Sequence, residues 1–486
     1  MKKISIFVIV ILTLAIASLA SAQGPTGNWI SSIACQNLDS NNIVDLTLTF
    51  YSASDGSAVT SHHDSIPAGG SKNYETTDIA LNVPADFLGS VVVSSSGPVA
   101  CSVNTKTTGD GSSENPYRLA SSSGQFDTVT APSMYAPQVM KDFVGWNSYV
   151  VVQNTSDNDT TVEVTYRNRA GDPITIANET ATIAAYSSKI FYQENNAKLP
   201  SNFIGSAKVT AINPVDAQIA VVVSFFNLGD TSGSSQFQSY NGFSTGASKL
   251  YAPRVVRQFY GYNGGIAIQN IGTIDTAVTI TFNFNGNTYV YQTRTIQANA
   301  ALPLYIPDIA ELDPVASFPI SRRFGNAIIE ADEPGALIVA NINEDNRGNP
   351  DDNDGNPIPG ERIGQGSSYN AIAFGTESKS LFFQQVMSKV DGIFSGGVQI
   401  SNVTDQAGTC DITFYGAPEA NLIAYPIDAN SSLSLYAPDI PNMPDGFNAG
   451  VTAICTVDVI GIANVAAAPY TGKVGDSFSQ NNGVNQ

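Results

Sequence analysis

The chain has 486 residues, with 42 Asp and Glu against 22 Lys and Arg and a formal net charge of −20. So acidic a protein repels nucleic acid and anionic membrane, because phosphate binding needs clustered Lys and Arg. Its length exceeds what one core can bury, so several domains are expected.

The first element reads as an N-terminal address. Lys2 and Lys3 precede an apolar run from Ile4 to Ala17, and Ala20-Ser21-Ala22 has the small-x-small pattern of a signal peptidase site. The run is too short and wrongly flanked for a membrane span. Residues 1–22 are expected to be removed as a signal peptide. The mature chain then starts at Gln23, lacks a membrane span, and resides outside the cell or at its surface. Residue 23 is not Cys, which argues against a bacterial lipid anchor.

From Trp29 onward one pattern recurs four times. A dipeptide closes a short apolar run at Gln36-Asn37, Gln153-Asn154, Gln269-Asn270 and, altered, Ser401-Asn402. Seven residues before the first member of each pair stands an aromatic: Trp29, Trp146, Tyr262 and Phe394. An alternating run follows each Asn by 13, 12, 12 and 12 residues, ending at Phe50, Tyr166, Phe282 and Phe414. The second half repeats as Pro84, Pro200, Pro314 and Pro444, then Phe87, Phe203, Phe324 and Phe447, then a Gly and an apolar run. The runs are four to eight residues long, rich in Val, Ile, Thr and Tyr, and bounded by Gly, Pro, Asn and Asp. This predicts an all-β protein of four tandem immunoglobulin-like or fibronectin-like β-sandwich domains, arranged as a rod or bent chain. The expected domains are residues 23–131 (lacking a leading strand), 132–246, 247–378 and 379–473, followed by a polar tail, 474–486.

The third unit carries an insertion at 343–368, dense in Asp, Asn, Gly and Pro and expected to be an exposed loop. Calcium is the other reading. Gly355 and Glu361 match the sixth and twelfth places of an EF-hand loop, with Asp352 and Asp354 at the third and fifth. Pro350 in the first place offers no side-chain ligand, and no flanking helices are predicted. No other cofactor is expected.

Four cysteines stand in two pairs at opposite ends of the chain. In an exported protein they predict disulfides Cys35–Cys101 and Cys410–Cys455, each contributing about 3–4 kcal/mol by loop closure. Asn-x-Ser/Thr sequences at Asn154, Asn158, Asn178, Asn402 and Asn430 are candidate glycosylation sites or chance sequons in an Asn-rich chain.

Catalytic motifs are weak. Gly242-Phe243-Ser244-Thr245-Gly246 and Gly475-Asp476-Ser477-Phe478-Ser479 resemble serine-hydrolase strings, but both need a histidine as general base. The only histidines, His62 and His63, are expected in a polar turn of the first unit. No catalytic residue is assigned and the protein is not read as an enzyme. The repeated Gln, Asn, Gly, Pro and aromatic residues suit framework better than a sugar site. One lattice of positions persists through four units while the turns between them vary, and the Asn closing each pair can bond to backbone two residues on.

The twenty-residue stretches from Tyr135 and Tyr251 agree at nine positions, including Tyr-Ala-Pro and Gln-Asn. With the Gly-Trp-Asn-Ser corner (145–148), Leu-Pro-x-x-Phe-x-Gly-Ser (199–206) and the Tyr-Asn-Gly that follows, the chain resembles uncharacterised tandem-repeat proteins secreted by filamentous environmental bacteria. The resemblance implies extracellular β-sandwich modules and no catalytic residues.

The first unit lacks the Tyr-Ala-Pro lead, and the tail beyond Tyr470, read as closing the fourth unit as Tyr117, Tyr240 and Tyr369 close the others, has no unit to enter. These ends suggest head-to-tail strand complementation between copies. The expected function is a non-enzymatic subunit of an extracellular filament, sheath or surface matrix whose partners are copies of itself. The alternative is a surface adhesin or carbohydrate-binding protein whose partners are glycans.

Overall fold

The computed structural model describes residues 6–10, 29–85, 87–112, 116–227, 236–346, 364–467, 473 and 475–486. The second unit shows the plan. Its leading strand, Ser133–Lys141, pairs antiparallel with Phe203–Asn213, which pairs with Thr160–Asn168, and that with Glu179–Ile183. The facing sheet runs Ser188–Tyr192, Trp146–Asn154, Ile219–Asn227 and Gln236–Asn241. The third unit repeats this order, and the first and fourth follow it with local changes. The protein is therefore all-β, built of four β-sandwiches. The helical pieces among the described residues are short 3₁₀ turns.

Sequence pattern and burial agree strand by strand. Thr160–Asn168 alternates buried and half-buried residues, as a strand with one wet face should. Ile219–Asn227 is buried almost throughout because both of its faces are covered. Val221, Val223 and Phe225 enter the unit's own core, while Ala220, Val222 and Phe226 belong to a second cluster that includes Trp29 and Ala120 of the first unit.

The leading strand bulges between Ala136 and Val139, and again between Ala252 and Val255. Pro137 and Pro253 sit in these bulges, where a missing N–H disrupts no ladder. The closing strand pins each bulge. Tyr240 Oη donates to Gln138 O at 2.6 Å and accepts from Gln138 N at 3.1 Å. Tyr369 does the same with the carbonyl and N–H of Arg254. Tyr240→Phe strips two buried backbone groups of their partner and is expected to cost about 1–3 kcal/mol, read as a lowered urea midpoint.

The aromatic corner is a chain reversal built from left-handed residues. Asp142, Val144 and Gly145 have φ of 50°, 51° and 81°, and Gln258, Tyr260 and Gly261 have 53°, 47° and 83°. Phe143 then bridges to Trp146 and Phe259 to Tyr262. The Asn ending each Gln-Asn pair acts as expected. Asn37, Asn154, Asn270 and Asn402 each accept through Oδ1 from the backbone N–H two residues on. Each also donates Nδ2 to carbonyls of its own unit.

The units do not form a rod. The first contacts the second through Ser187 Oγ on Ser52 O and Ser90 Oγ on Tyr186 O. The second meets the third through Asn341 and Asn343 on Gln138 Oε1, and the third meets the fourth through Asn326 on Ser432. The fourth returns to the first through Gln36 on Thr452, Asn104 on Gln385 and Gly450 N on Ser71. The result is a closed ring. A rod or bent chain was expected because repeats in series need only touch their neighbours; here each unit hides a second apolar or amide-bearing face, which two-sided contact buries.

The ends also differ from expectation. Ile6–Val10, inside the segment read as a leader, lies beside Gly89–Ser95 in the leading-strand place of the first unit. The tail is not spare. Ser479–Asn482 pairs with Ile462–Val465, and Val484–Asn485 with the fourth unit's leading strand, Ser378–Ser388. The tail is thus the fourth unit's closing strand, and Asn481 and Ser122 stand where Tyr369 and Tyr240 stand in the middle units. Tyr117 opens its strand instead of pinning a bulge, and Tyr470 lies outside the described residues. His62 and His63 occupy a strand, Ala58–Ile66, and not a turn.

Candidate functional site

Four closing strands, Tyr117–Ser123, Gln236–Asn241, Gln365–Asn370 and Ser479–Asn482, meet at the centre of the ring. One position in each forms a ladder across unit boundaries. Asn241 Nδ2 donates to Ser123 O, Asn370 Nδ2 to Asn241 O and Asn482 Nδ2 to Asn370 O, each at 2.7 Å. In return Asn241 N donates to Asn370 Oδ1 and Asn370 N to Asn482 Oδ1. Gln236 reaches Gln365 O, and Ser368 Oγ donates to Gln238 Oε1. Amide pairing of this kind offsets the cost of burying polar strands, since an unmade buried bond costs more than a made one gains; Asn241 Oδ1, Gln480 Oε1 and Asn481 Oδ1 are buried there without a partner among the described residues. The signal was present in the sequence as Asn-Gly at 241–242 and 482–483 and as Tyr-Asn at 369–370, but nothing local told these residues apart from turns.

The ionisable side chains of Asp476, Arg254 and Glu344 are buried in or beside the hub. Asp476 is fully buried and accepts from the backbone N–H groups of Phe237, Gly366 and Phe478, at 2.8, 3.1 and 3.1 Å. Removal from water pushes its carboxyl well above the usual carboxylate range, against the opposing pull of those N–H groups. A carboxyl whose folded pKa exceeds its unfolded value of about 3.9 binds its proton more tightly in the fold. Its contribution to stability is therefore full below about pH 4 and is lost as pH rises through the folded pKa. Asp476→Asn, a mimic of the protonated form, is expected to flatten this fall, measured by thermal melts between pH 4 and pH 8. Nearby, Arg254 and Glu344 form a buried bidentate pair at 2.7 and 2.8 Å, with Gln480 of the tail on the same carboxylate.

The other residues singled out in the sequence fall into distinct places. Cys35 is joined to Cys101, and Cys410 to Cys455, each pair directly opposed on neighbouring strands. Asn154 and Asn402 are buried with their side-chain amides committed to carbonyls, so a glycan there would have to break the corner. Asn158 and Asn430 are exposed and Asn178 is half-buried. Asp352, Asp354 and Glu361 lie outside the described residues. Ser477 is buried in the hub, where it accepts from Ala467 N and Gln365 Nε2. Ser244 lies between the closing strand of one unit and the leading strand of the next. His63 Nδ1 is hydrogen-bonded to Thr47 and His62 packs edge-on to Tyr74, both in the first unit. Among the described residues no group of three or more His, Cys, Asp or Glu is placed to hold a metal ion, and no helix is long and apolar enough to cross a membrane.

No protein-family model and no curated protein sequence matches the chain. Similar solved structures include Thermotoga maritima 1070, at 13% identity over 23% of this chain and 93% of that one, TM-score 0.20. A tetra-tandem repeat from the extending region of a large adhesion protein matches at 14% identity over 91% and 92%, TM-score 0.12. The pilus backbone protein of Streptococcus pneumoniae matches at 8% over 79% and 86%, TM-score 0.12. Scores this low decide nothing about the arrangement of the units or their role.

Proposed function

We propose that the protein is a secreted, non-catalytic structural subunit, and that the closed ring is the brick of an extracellular filament, sheath or surface matrix. The observation that carries this reading is the hub. Its four closing strands bond to one another across unit boundaries, largely through side-chain amides, which ties the four sandwiches together. Two supports stand beside it. The paired cysteines suit an oxidising compartment. Each unit also ends one sheet in a partly exposed edge strand, Ala58–Ile66, Glu179–Ile183, Asn287–Gln292 or Leu422–Ile427, and such edges are templates for pairing with other chains.

Electron microscopy of the natively secreted protein tests the reading. Ordered fibres or sheets of four-lobed particles are expected. Dispersed single particles at high concentration that are retained on a glycan array would instead establish an adhesin.

A further inference from the structure

In three units the place beside the strand that opens near the repeated Phe and Gly is held by a long leading strand: Ser133–Lys141, Lys249–Val256 or Ser378–Ser388. In the first unit it is held by five residues, Ile6–Val10, opposite Val91–Ser95. Val10 against Val91 corresponds to Ala136 against Ala207, because Val91 and Ala207 pair with the equivalent residues Phe50 and Tyr166. In the second unit the leading strand continues past its bulge, Val139–Lys141 running against Gly205–Phe203. Opposite Gly89 in the first unit that half of the ladder has no counterpart among the described residues.

A second observation points to the same place from the neighbouring unit. Each complete leading strand passes a bulge acceptor to the unit after it. Gln138 Oε1 takes bonds from Asn341 and Asn343, Pro253 O from Gln399 and Ser401, and Gln385 Oε1 from Asn104. Gln153 holds in the second unit the position of Ser401 in the fourth. It is fully buried, and neither its Oε1 nor its Nε2 has a partner among the described residues. A buried primary amide left unmade on both sides costs about 1–3 kcal/mol per group, and here the missing partner is what a full leading strand on the first unit would bring.

We propose that the first unit is an acceptor for an extended strand donated by a partner chain, which replaces Ile6–Val10 once the N-terminal segment has been removed. The donor is a segment of about nine residues in the leading-strand pattern, with no acidic side chain. Its apolar residues alternate into the core of the first unit, a proline occupies the bulge, and the proline carbonyl or the side-chain amide of the next residue meets Gln153. The tail cannot serve, since its own unit holds it and its residues are polar. This rests on the extracellular reading for removal of the leader, and names the partner that the assembly would use.

The probe is the synthetic peptide Ser-Met-Tyr-Ala-Pro-Gln-Val-Met-Lys, the sequence of residues 133–141, added to the full protein as secreted by its host, with its N-terminus fixed by mass. The expected result is an N-terminus beyond Val10, saturable binding of the peptide, and slowed hydrogen exchange confined to Phe87–Ser95. A peptide with Asp at the places of Met134 and Val139 should not bind, and Gln153→Leu should weaken the parent peptide about tenfold. Secreted protein that retains residues 6–10 overturns the proposal, as does failure of the peptide to bind or to protect Phe87–Ser95. Particles that never polymerise yet take up the peptide would sink the matrix reading while leaving the acceptor intact.

Discussion

Removing residues 475–486 is expected to open the ring and split the single unfolding transition into at least two. Phe478 is buried and packs edge-to-face on Tyr262 of the third unit, with ring centroids 5.6 Å apart. Losing a buried Phe side chain costs about 3–5 kcal/mol. The same deletion takes Asp476 from Phe237 N and Gly366 N, and Asn482 from Asn370 N. Each orphaned N–H adds about 1–3 kcal/mol. The sum rivals the about 5–15 kcal/mol that holds a typical domain folded, so the fourth unit should melt apart from the middle ones. Phe478→Ala alone should lower the midpoint without splitting the transition. Calorimetry separates these results, and a deletion variant that melts like the full chain would refute the hub as the element that couples the units.

Glu344→Ala is expected to cost about 3–5 kcal/mol by leaving the Arg254 guanidinium buried and unpaired. Both side chains are nearly inaccessible, 8% and 5% exposed, so water cannot replace the lost carboxylate. Arg254 also stacks over Phe259 and Phe324, at 5.1 and 5.8 Å, and reaches Gln399 of the fourth unit. It cannot swing out without uncovering those rings. The double variant Arg254→Met, Glu344→Leu removes both charges and should be far less destabilised than the single one. Urea midpoints of the three proteins, compared as a double-mutant cycle, provide the check.

The repeat made most of each sandwich legible. Constant spacing from aromatic to Gln-Asn to alternating strand follows from local rules of turn and ladder, and the Asn corner could be derived from its side-chain chemistry alone. The ring could not. Whether Gln36 or Gln153 faces solvent or a neighbour depends on contacts more than a hundred residues apart in the chain, and no local periodicity reports them. The tail misled for a related reason. Ser479-Gln480-Asn481-Asn482 reads as solvated because polar residues usually are, yet the hub is a polar interior whose strands bury amides against amides. At the first unit the pattern reads as lacking a leading strand, because the apolar run that stands in its place reads as an export signal.

Peptide bonds cross three of the four junctions in the ring; between the fourth unit and the first only side-chain and backbone contacts do, among them Gln36 to Thr452 and Asn104 to Gln385. That junction is a seam, like the cut in a split washer. Its halves are kept at high effective concentration by the chain that runs round the other way, so modest contacts suffice to shut it. Both cystine bridges belong to the strands that border this cut: Cys35 precedes Gln36, and Cys455 lies three residues beyond Thr452. Cross-linking adjacent strands on either lip keeps each face flat and in register, which is what a joint without covalent continuity requires to close the same way every time.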